Sequence, residues 1–320
     1  MLHASEITVQ GRPLSDILGA HILWTADPAR GRRCQLADAT LNEVDLRNAN
    51  LNRASFDCVT LLDADLSLAD LRGAVVNSVD LGGALLTGAD FTGAQLSFVR
   101  FLLGHLSGAH FSEARIDGSN FQGARLEAAG FQDAAVNDTR FAGALLNGAL
   151  FHGARLAVCD FSNAKMESVQ LPRVRAQSCR LYGVSGSSMN FTGGCLSDCD
   201  LSSATLPDAR FTKAAMQGVR LANADLSGAD FREASLGGSD FSDAVLKNAR
   251  MADAKLFAAD FRGANLAGVR DLTAQQLQQA RTDTNTILPN GSRGPYMKSS
   301  GAEKPGAAGV PRRSGLGLSC

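Results

Sequence analysis

The apolar residues of this chain recur every five positions, without a shift of frame, from Leu36 to Leu266. These centres, at positions ending in 1 or 6, are Leu, Phe, Met, Ile or Val, except at Ala176 and Gly186. Two positions before each centre stands a small residue, usually Ala, with Met189 as the one large exception. Because an α-helix repeats every 3.6 residues and a strand every 2, neither element explains this period. A short fixed period predicts a solenoid, in which each repeat packs only on its neighbours.

Asp or Asn often separates the small residue from the centre, as in Ala64-Asp65-Leu66 and Ala89-Asp90-Phe91. This unit resembles the repeat of the pentapeptide-repeat protein family, and the resemblance covers about three quarters of the chain. The resemblance implies an all-β solenoid, a right-handed quadrilateral β-helix in which four pentapeptides form one coil. Residues 34–270 then form about 12 coils, a rod of about 57 Å at the spacing of neighbouring strands.

The segments outside the repeat are expected to cap the rod. Residues 1–33 contain a short amphipathic helix from Leu14 to Trp24 and a lead-in to the first coil. In residues 271–289, Thr273 and Gln276 have the spacing of a capping box, which predicts a second short helix. Residues 290–320 are rich in Gly, Ser, Pro and basic residues, so we expect a disordered tail.

A 20-residue coil places residues that are 20 positions apart on the same face, and the phenylalanines test this spacing. One set of centres shares one face: Phe101, Phe121, Phe141, Phe161, Phe241 and Phe261. A second set shares the opposite face: Phe91, Phe111, Phe131, Phe151, Phe191, Phe211 and Phe231. Two opposed stacks of rings filling one interior agree with close packing.

Outward positions form two candidate surface features. The first is a charge ladder with a step of 20 residues and alternating sign: Arg140, Asp160, Arg180, Asp200, Arg220 and Asp240. The second, the apolar patch, is a concentration of outward apolar residues in the N-terminal third of the repeat: Leu62, Leu85, Phe98, Leu102 and Leu103. The ladder stabilises a solvated face or guides docking, and the patch is ordinary surface or a binding site for a protein.

The sequence offers no chemistry of its own. None of the histidines has metal-ligand or catalytic spacing to Cys, Asp or Glu, and the chain has no phosphate-binding loop or nucleophile motif. A filled interior also leaves no cavity for a substrate. We therefore expect no enzyme, no catalytic or metal-binding residue and no cofactor. Cys159, Cys179 and Cys199 are 20 positions apart and should stack as small fillers, with a redox role as the alternative.

Charge and hydropathy argue against nucleic acid and a lipid bilayer as partners. The net charge is −1, and residues 34–270 carry 26 acidic and 21 basic residues, so we expect no direct binding of nucleic acid. No apolar stretch is long enough for a transmembrane helix, and no signal peptide is recognisable. The pattern fits a bacterial cytoplasmic protein.

The leading hypothesis is a non-catalytic protein-interaction scaffold that uses the outer surface of a rigid rod. One alternative comes from the resemblance, since some family members mimic DNA and bind DNA gyrase or topoisomerase. The modest net charge and the alternating ladder are poor imitations of a row of phosphates. The other alternative is a secreted or secretion-associated bacterial effector. Pairing of two copies into a homodimer is left open.

The stretch from Pro172 to Cys199 departs furthest from the repeat. Its centres Ala176 and Gly186 are undersized, although the register continues through it. We expect a looser or bulged coil here, with Met189 filling the space that Gly186 leaves.

Overall fold

The computed structural model describes residues 2–305 and confirms a right-handed, four-sided parallel β-solenoid. One side is a nine-stranded parallel sheet in which consecutive strands are neighbours. Its strands are β3 Gln35–Ala37, β4 Ser55–Asp57, β5 Val75–Asn77, β6 Gln95–Ser97, β7 Arg115–Asp117, β8 Ala135–Asn137, β9 Arg155–Ala157, β10 Arg175–Gln177 and β11 Cys195–Ser197. The pairing Leu36–Phe56–Val76 shows the step of 20 residues from coil to coil.

The other three sides are held by isolated parallel β-bridges with the same step. We call the sheet side the strand face, and the side whose bridges run from Thr40 through Arg140 to Asp260 the ladder face. The third face follows the series from Asp45 to Asn265, and the fourth face follows the series from Asn50 to Arg270. Along the chain the order is strand, ladder, third and fourth face, so the strand face is opposite the third face.

The strand face has fewer regular strands than the expected number of coils. Beyond β11 the same register continues only as bridges, from Cys195 through Ala215 and Ser235 to Lys255. Beyond β11, neighbouring coils share a single bridge on this face, which does not make a regular strand. The rod therefore continues past the end of the sheet.

The interior is filled by the predicted columns of rings. Phe141, behind the ladder face, stacks on Phe121 at 4.9 Å and on Phe161 at 4.7 Å between ring centroids. The column behind the fourth face meets it edge-on, with Phe131 at 6.0 Å from Phe141. Phe56 belongs to neither column, because it lies in β4 behind the strand face. Edge-to-face and offset-stacked contacts are the favoured arrangements of aromatic rings.

The small inward positions at the corner between the strand and ladder faces carry a run of hydrogen-bond donors, one hydroxyl and three thiols. Thr139 Oγ1 donates to the carbonyl of Asn137 at 2.8 Å. The buried thiols of Cys159, Cys179 and Cys199 donate in the same way, to carbonyl oxygens at 3.4–3.6 Å. The predicted cysteine column therefore exists, and its thiols pack as small interior groups.

The N-terminal segment covers the first coil. Strands β1 Thr8–Val9 and β2 Arg12–Pro13 form a hairpin before helix α1, Leu14–Ala26. Leu14 and His21 are buried, and His21 Nδ1 accepts a hydrogen bond from Cys34 N at 3.0 Å. Leu2 forms a parallel bridge with Val44, so the chain's own N-terminus occupies part of the open edge that would otherwise invite pairing.

The C-terminal segment closes the other end. Helix α2, Ala274–Gln279, begins at a capping box in which Thr273 Oγ1 accepts from Gln276 N and Gln276 Oε1 accepts from Thr273 N. Gln276 Nε2 also donates to the carbonyls of Met251 and Ala254, each at 2.9 Å. One side chain thus joins the helix to the last coils.

Residues 280–305 lie against this end. Arg281 and Ile287 extend two of the bridge series, and Leu288 and Ala302 are buried. Tyr296 N donates to Thr282 Oγ1 at 2.8 Å. The predicted disordered tail is described only to residue 305, and residues 306–320 lie outside the described part of the chain.

The irregular stretch keeps its register. Gly186 N donates to the carbonyl of Thr205 at 2.9 Å, so residues 172–199 contain no bulge, in contrast to the expectation. A Cβ added at Gly186 would lie 2.4 Å from the carbonyl oxygen of Met166, which explains why only glycine fits. Met189 is fully buried and supplies interior volume in this coil.

Candidate interaction surface

The ladder face brings together the charge ladder and most of the apolar patch. The bridge series of this face runs through Asp80, Arg100 and Asn120 before it reaches Arg140. Phe98 occupies the corner that precedes Arg100, and Leu102 and Leu103 directly follow the centre Phe101. The apolar and charged features that the sequence suggests separately are therefore parts of one continuous side of the rod.

Phe98 and Leu103 occupy corners where the backbone is left-handed. Their φ angles are both +55°, and Leu68, at a corner between the third and fourth faces, has a φ of +58°. The three side chains are 61%, 62% and 63% exposed. A left-handed conformation costs an L-residue roughly 1–2 kcal/mol, and Gly, Asn and Asp adopt it most easily. Most equivalent corners carry Gly, Asp, Asn or Ser.

Each of these side chains lies over a glycine of the next coil. A Cβ added at Gly118 would lie 2.7 Å from Phe98 Cδ1, and one added at Gly123 would lie 2.8 Å from Leu103 Cδ2. The rings and methyl groups thus lie along the surface of the rod. They form a shallow apolar surface that a partner could cover.

The structure separates the remaining members of the apolar patch. Leu62 and Leu102 share one column of the ladder face with Gly82 between them, and both are half-buried. Leu85 lies on the third face, in the bridge series between Asp65 and His105. Leu85 is therefore on a different side from Phe98, and the patch on the ladder face consists of Leu62, Phe98, Leu102 and Leu103.

The charge ladder is formed by direct bridge partners. In each ion pair an arginine contacts the aspartate of the preceding coil: Arg100 Nη1 is 3.4 Å from Asp80, Arg180 Nη1 is 3.6 Å from Asp160, and Arg220 Nη2 is 3.2 Å from Asp200. The arginine side chains are more than half exposed, so each pair contributes at most about 1 kcal/mol. Arg140 and Asp240 continue the column as bridge partners.

The aspartates at bridge positions also shape the turns. Asp225 Oδ1 accepts from Ser227 N at 3.0 Å, and Asp45 Oδ1 accepts from Arg47 N at 3.1 Å. Hydrogen bonds from the Arg47 side chain and backbone lower the pKa of Asp45 to about 2. Many of the outward carboxylates therefore have a structural role as local turn caps.

The described residues contain no cluster of His, Cys, Asp and Glu that could hold a metal ion. Between residues 2 and 305, no helix combines the length and the apolar character that crossing a membrane requires. The larger hollows of the described residues are open grooves on the outer sides of the rod. An interior void between Phe56 and Phe91 measures only about 10 Å³.

The left-handed corners are the feature that sequence reasoning missed. A signal was present, because positions ending in 3 and 8 are rich in Gly, Asp and Asn, the residues that tolerate a positive φ. Against that background a Leu or Phe at the same position stands out. Periodicity alone marked Phe98 and Leu103 only as exposed.

Comparison with known proteins identifies the repeat. The sequence model of a family described as pentapeptide repeats matches the chain in eight copies, over residues 34–73, 69–101, 105–141, 137–171, 187–223, 195–233 and 224–263. A search of curated protein sequences found no match.

Solved structures of pentapeptide-repeat proteins match the chain at low identity. QnrB1, a plasmid-mediated fluoroquinolone resistance protein, is 17% identical with a TM-score of 0.36, and the match covers 65% of this chain and 91% of that one. HetL, involved in heterocyst differentiation regulation in the cyanobacterium Nostoc sp. strain PCC 7120, is 25% identical with a TM-score of 0.25, covering 84% and 97%. A protein of the Arabidopsis thaliana thylakoid lumen is 20% identical with a TM-score of 0.26, covering 44% and 84%.

Proposed function

Because the chain belongs to the pentapeptide-repeat protein family, we propose that it acts as a non-catalytic scaffold that binds a protein partner along the ladder face. The partner would cover the apolar residues Leu62, Phe98, Leu102 and Leu103 and extend over the charge ladder. The sequence is consistent with such binding in the bacterial cytoplasm.

One observation carries this proposal: large apolar side chains occupy exposed corners whose backbone disfavours them. At Phe98 and Leu103, Asn or Gly would relieve backbone strain and expose less apolar surface to water. Folding of the rod therefore gives little reason to place Phe and Leu there. Binding gives a reason, because a few well-packed residues near the centre of an interface, surrounded by contacts that exclude water, provide most of its affinity.

The charge ladder suits the rim of such an interface. Its charges alternate at the strand spacing of about 4.8 Å, so a partner with the complementary alternation would fit in only one register. The ladder thus favours a protein surface of mixed charge. A row of equal charges, such as a nucleic acid backbone presents, would meet repulsion at every second step.

The alternation also bears on the gyrase hypothesis. A mimic of DNA needs a continuous acidic row, and on the ladder face arginines stand between the aspartates. Gyrase or topoisomerase is the alternative partner, and the capture experiment below distinguishes it from other proteins. The proposal itself names only a protein.

The test is crosslinked capture of partners from the native host, comparing wild type with Phe98→Asp/Leu102→Asp. We expect the variant to lose the partner, because two charges would enter the centre of the contact. Asp tolerates the left-handed corner at position 98, so the variant should remain folded.

Phe257→Asp is the matched control, since Phe257 is 74% exposed and lies on the strand face. It should retain the partner. Equal recovery with wild type and the double variant would overturn the proposed site. Recovery of gyrase with wild type alone would give the partner its identity.

A further inference from the structure

Where two aspartates are bridge partners in neighbouring coils, an arginine close by compensates their charges. Three bridges join two aspartates: Asp45 with Asp65, Asp70 with Asp90, and Asp240 with Asp260. Like charges directly opposite each other in neighbouring strands are destabilising. Each of these steps is accompanied by an arginine two positions after one of the aspartates.

These arginines neutralise the steps. Arg47 lies 2.6 Å from Asp45 and 3.7 Å from Asp65. Arg72 lies 2.6 Å from Asp70 and 3.7 Å from Asp90. Arg262 lies 2.5 Å from Asp260. The hydrogen bond with Asp260 and its charge raise the pKa of the Arg262 guanidinium most, and the charge of Asp240 raises it further.

On the strand face two arginines are neighbours in the sheet, and no acidic side chain compensates their charges. Arg155 in β9 and Arg175 in β10 are register partners, and both are exposed. Their further neighbours in the column are Ala135 and Cys195, which carry no charge. Within residues 2–305 neither arginine has a carboxylate within 4.0 Å.

A second arginine step, Arg250 with Arg270 on the fourth face, differs in this respect. Arg250 has Asp230 as its bridge partner on the other side. The Arg155–Arg175 step is therefore the one that lacks an acidic neighbour in its own column.

The surroundings extend the positive charge and leave room above the sheet. Arg115 precedes Arg155 in the same column with Ala135 between them, and these three residues line a hollow of about 430 Å³. Asp117 also lines this hollow, where its carboxylate accepts a hydrogen bond from Asn137 Nδ2, and Arg175 lies one coil beyond it. Arg173 adds a further exposed charge at the corner before Arg175. The three coil steps from Arg115 to Arg175 span about 14 Å at the strand spacing.

We propose that this basic strip, Arg115, Arg155, Arg173 and Arg175, binds an acidic segment of the protein partner. The inference rests on the proposed function and adds a second contact to it. Alternate side chains of an extended segment are about 6.8 Å apart, so about three carboxylates fit along the strip. The small side chain of Ala135 lets the segment's backbone approach the sheet.

Part of the basic strip lies in a stretch of the chain that departs from the family's repeat. The family's sequence model leaves residues 172–186 unmatched, and Arg173 and Arg175 lie in this interval. Phe98 occupies the corner between the strand face and the ladder face, so one partner can reach both the apolar patch and the strip.

The test measures binding of a fluorescent peptide of alternating Glu and Ser to the full chain at physiological ionic strength. Arg155→Gln/Arg175→Gln should weaken the affinity by about tenfold or more, because two charge contacts are lost. The matched control is Arg125→Gln/Lys165→Gln, which removes the same charge from the opposite, third face and should change the affinity less than about twofold.

Three results would overturn the strip: equal weakening by both variants, equal binding of a Gln–Ser peptide, or stronger binding of single-stranded DNA than of the acidic peptide. The thermal midpoint of Arg155→Gln/Arg175→Gln should not fall, since the change relieves repulsion, so lost binding would not reflect unfolding. Failure of this test leaves the capture result for Phe98→Asp/Leu102→Asp unaffected, which separates the two proposals.

Discussion

Whether a residue of this rod faces inward or outward decides which side chains it can carry, and the inward positions carry no charged side chain. Phe141 is fully buried between stacked rings on both sides of its coil. The sequence predicts this environment correctly, because the 20-residue spacing of the phenylalanines already indicates two columns. The sequence does not reveal that the outward Asp225 accepts hydrogen bonds from Ser227, because that depends on the turn's dihedral angles.

At this scale we predict that Phe141→Asp destabilises the protein by at least about 4 kcal/mol, through loss of ring packing and burial of an unpaired charge. Thermal and denaturant unfolding measure the change. Phe257→Asp, at an exposed position, should stay close to wild type. Similar midpoints for both variants would refute the assignment of the interior.

At the scale of elements, the solenoid depends on its ends. The capping box at Thr273 was readable from the sequence, since it requires only two residues at a fixed spacing. The contacts of Gln276 with the carbonyls of Met251 and Ala254 were not readable, because they depend on how α2 meets the last coils. The corner conformations of Leu68 and Phe98 were missed for a similar reason, since periodicity fixes direction but not backbone dihedrals.

We predict that Gln276→Ala weakens the C-terminal end by about 2 kcal/mol, because it removes the box and two further hydrogen bonds. Hydrogen exchange should accelerate at the amides of the last coils, including Ala258, which donates to the carbonyl of Gln279. Coils around Phe111 should be unaffected, since solenoid repeats contact only their neighbours. Uniform acceleration along the rod would contradict this local effect.

For the whole molecule, the repeat specifies the rod, but it does not specify which part of the outer surface binds a partner. The fold follows from the five-residue period, and the family match agrees with it. The interaction surface that we propose lies where the chain departs from the repeat, at Phe98 and Leu103 and in the coil of Arg175. Such departures carry no period, so the sequence could indicate candidates there without showing which of them share a face.

The most direct test of the central claim is the thermal midpoint of the double variant Phe98→Asn/Leu103→Asn. Asn tolerates the left-handed corners, and both side chains are exposed, so we predict a midpoint no lower than that of wild type. That result would show that these apolar residues serve something other than the stability of the rod. A midpoint lower by several degrees would show that they stabilise the coils, and it would contradict their assignment to a binding surface.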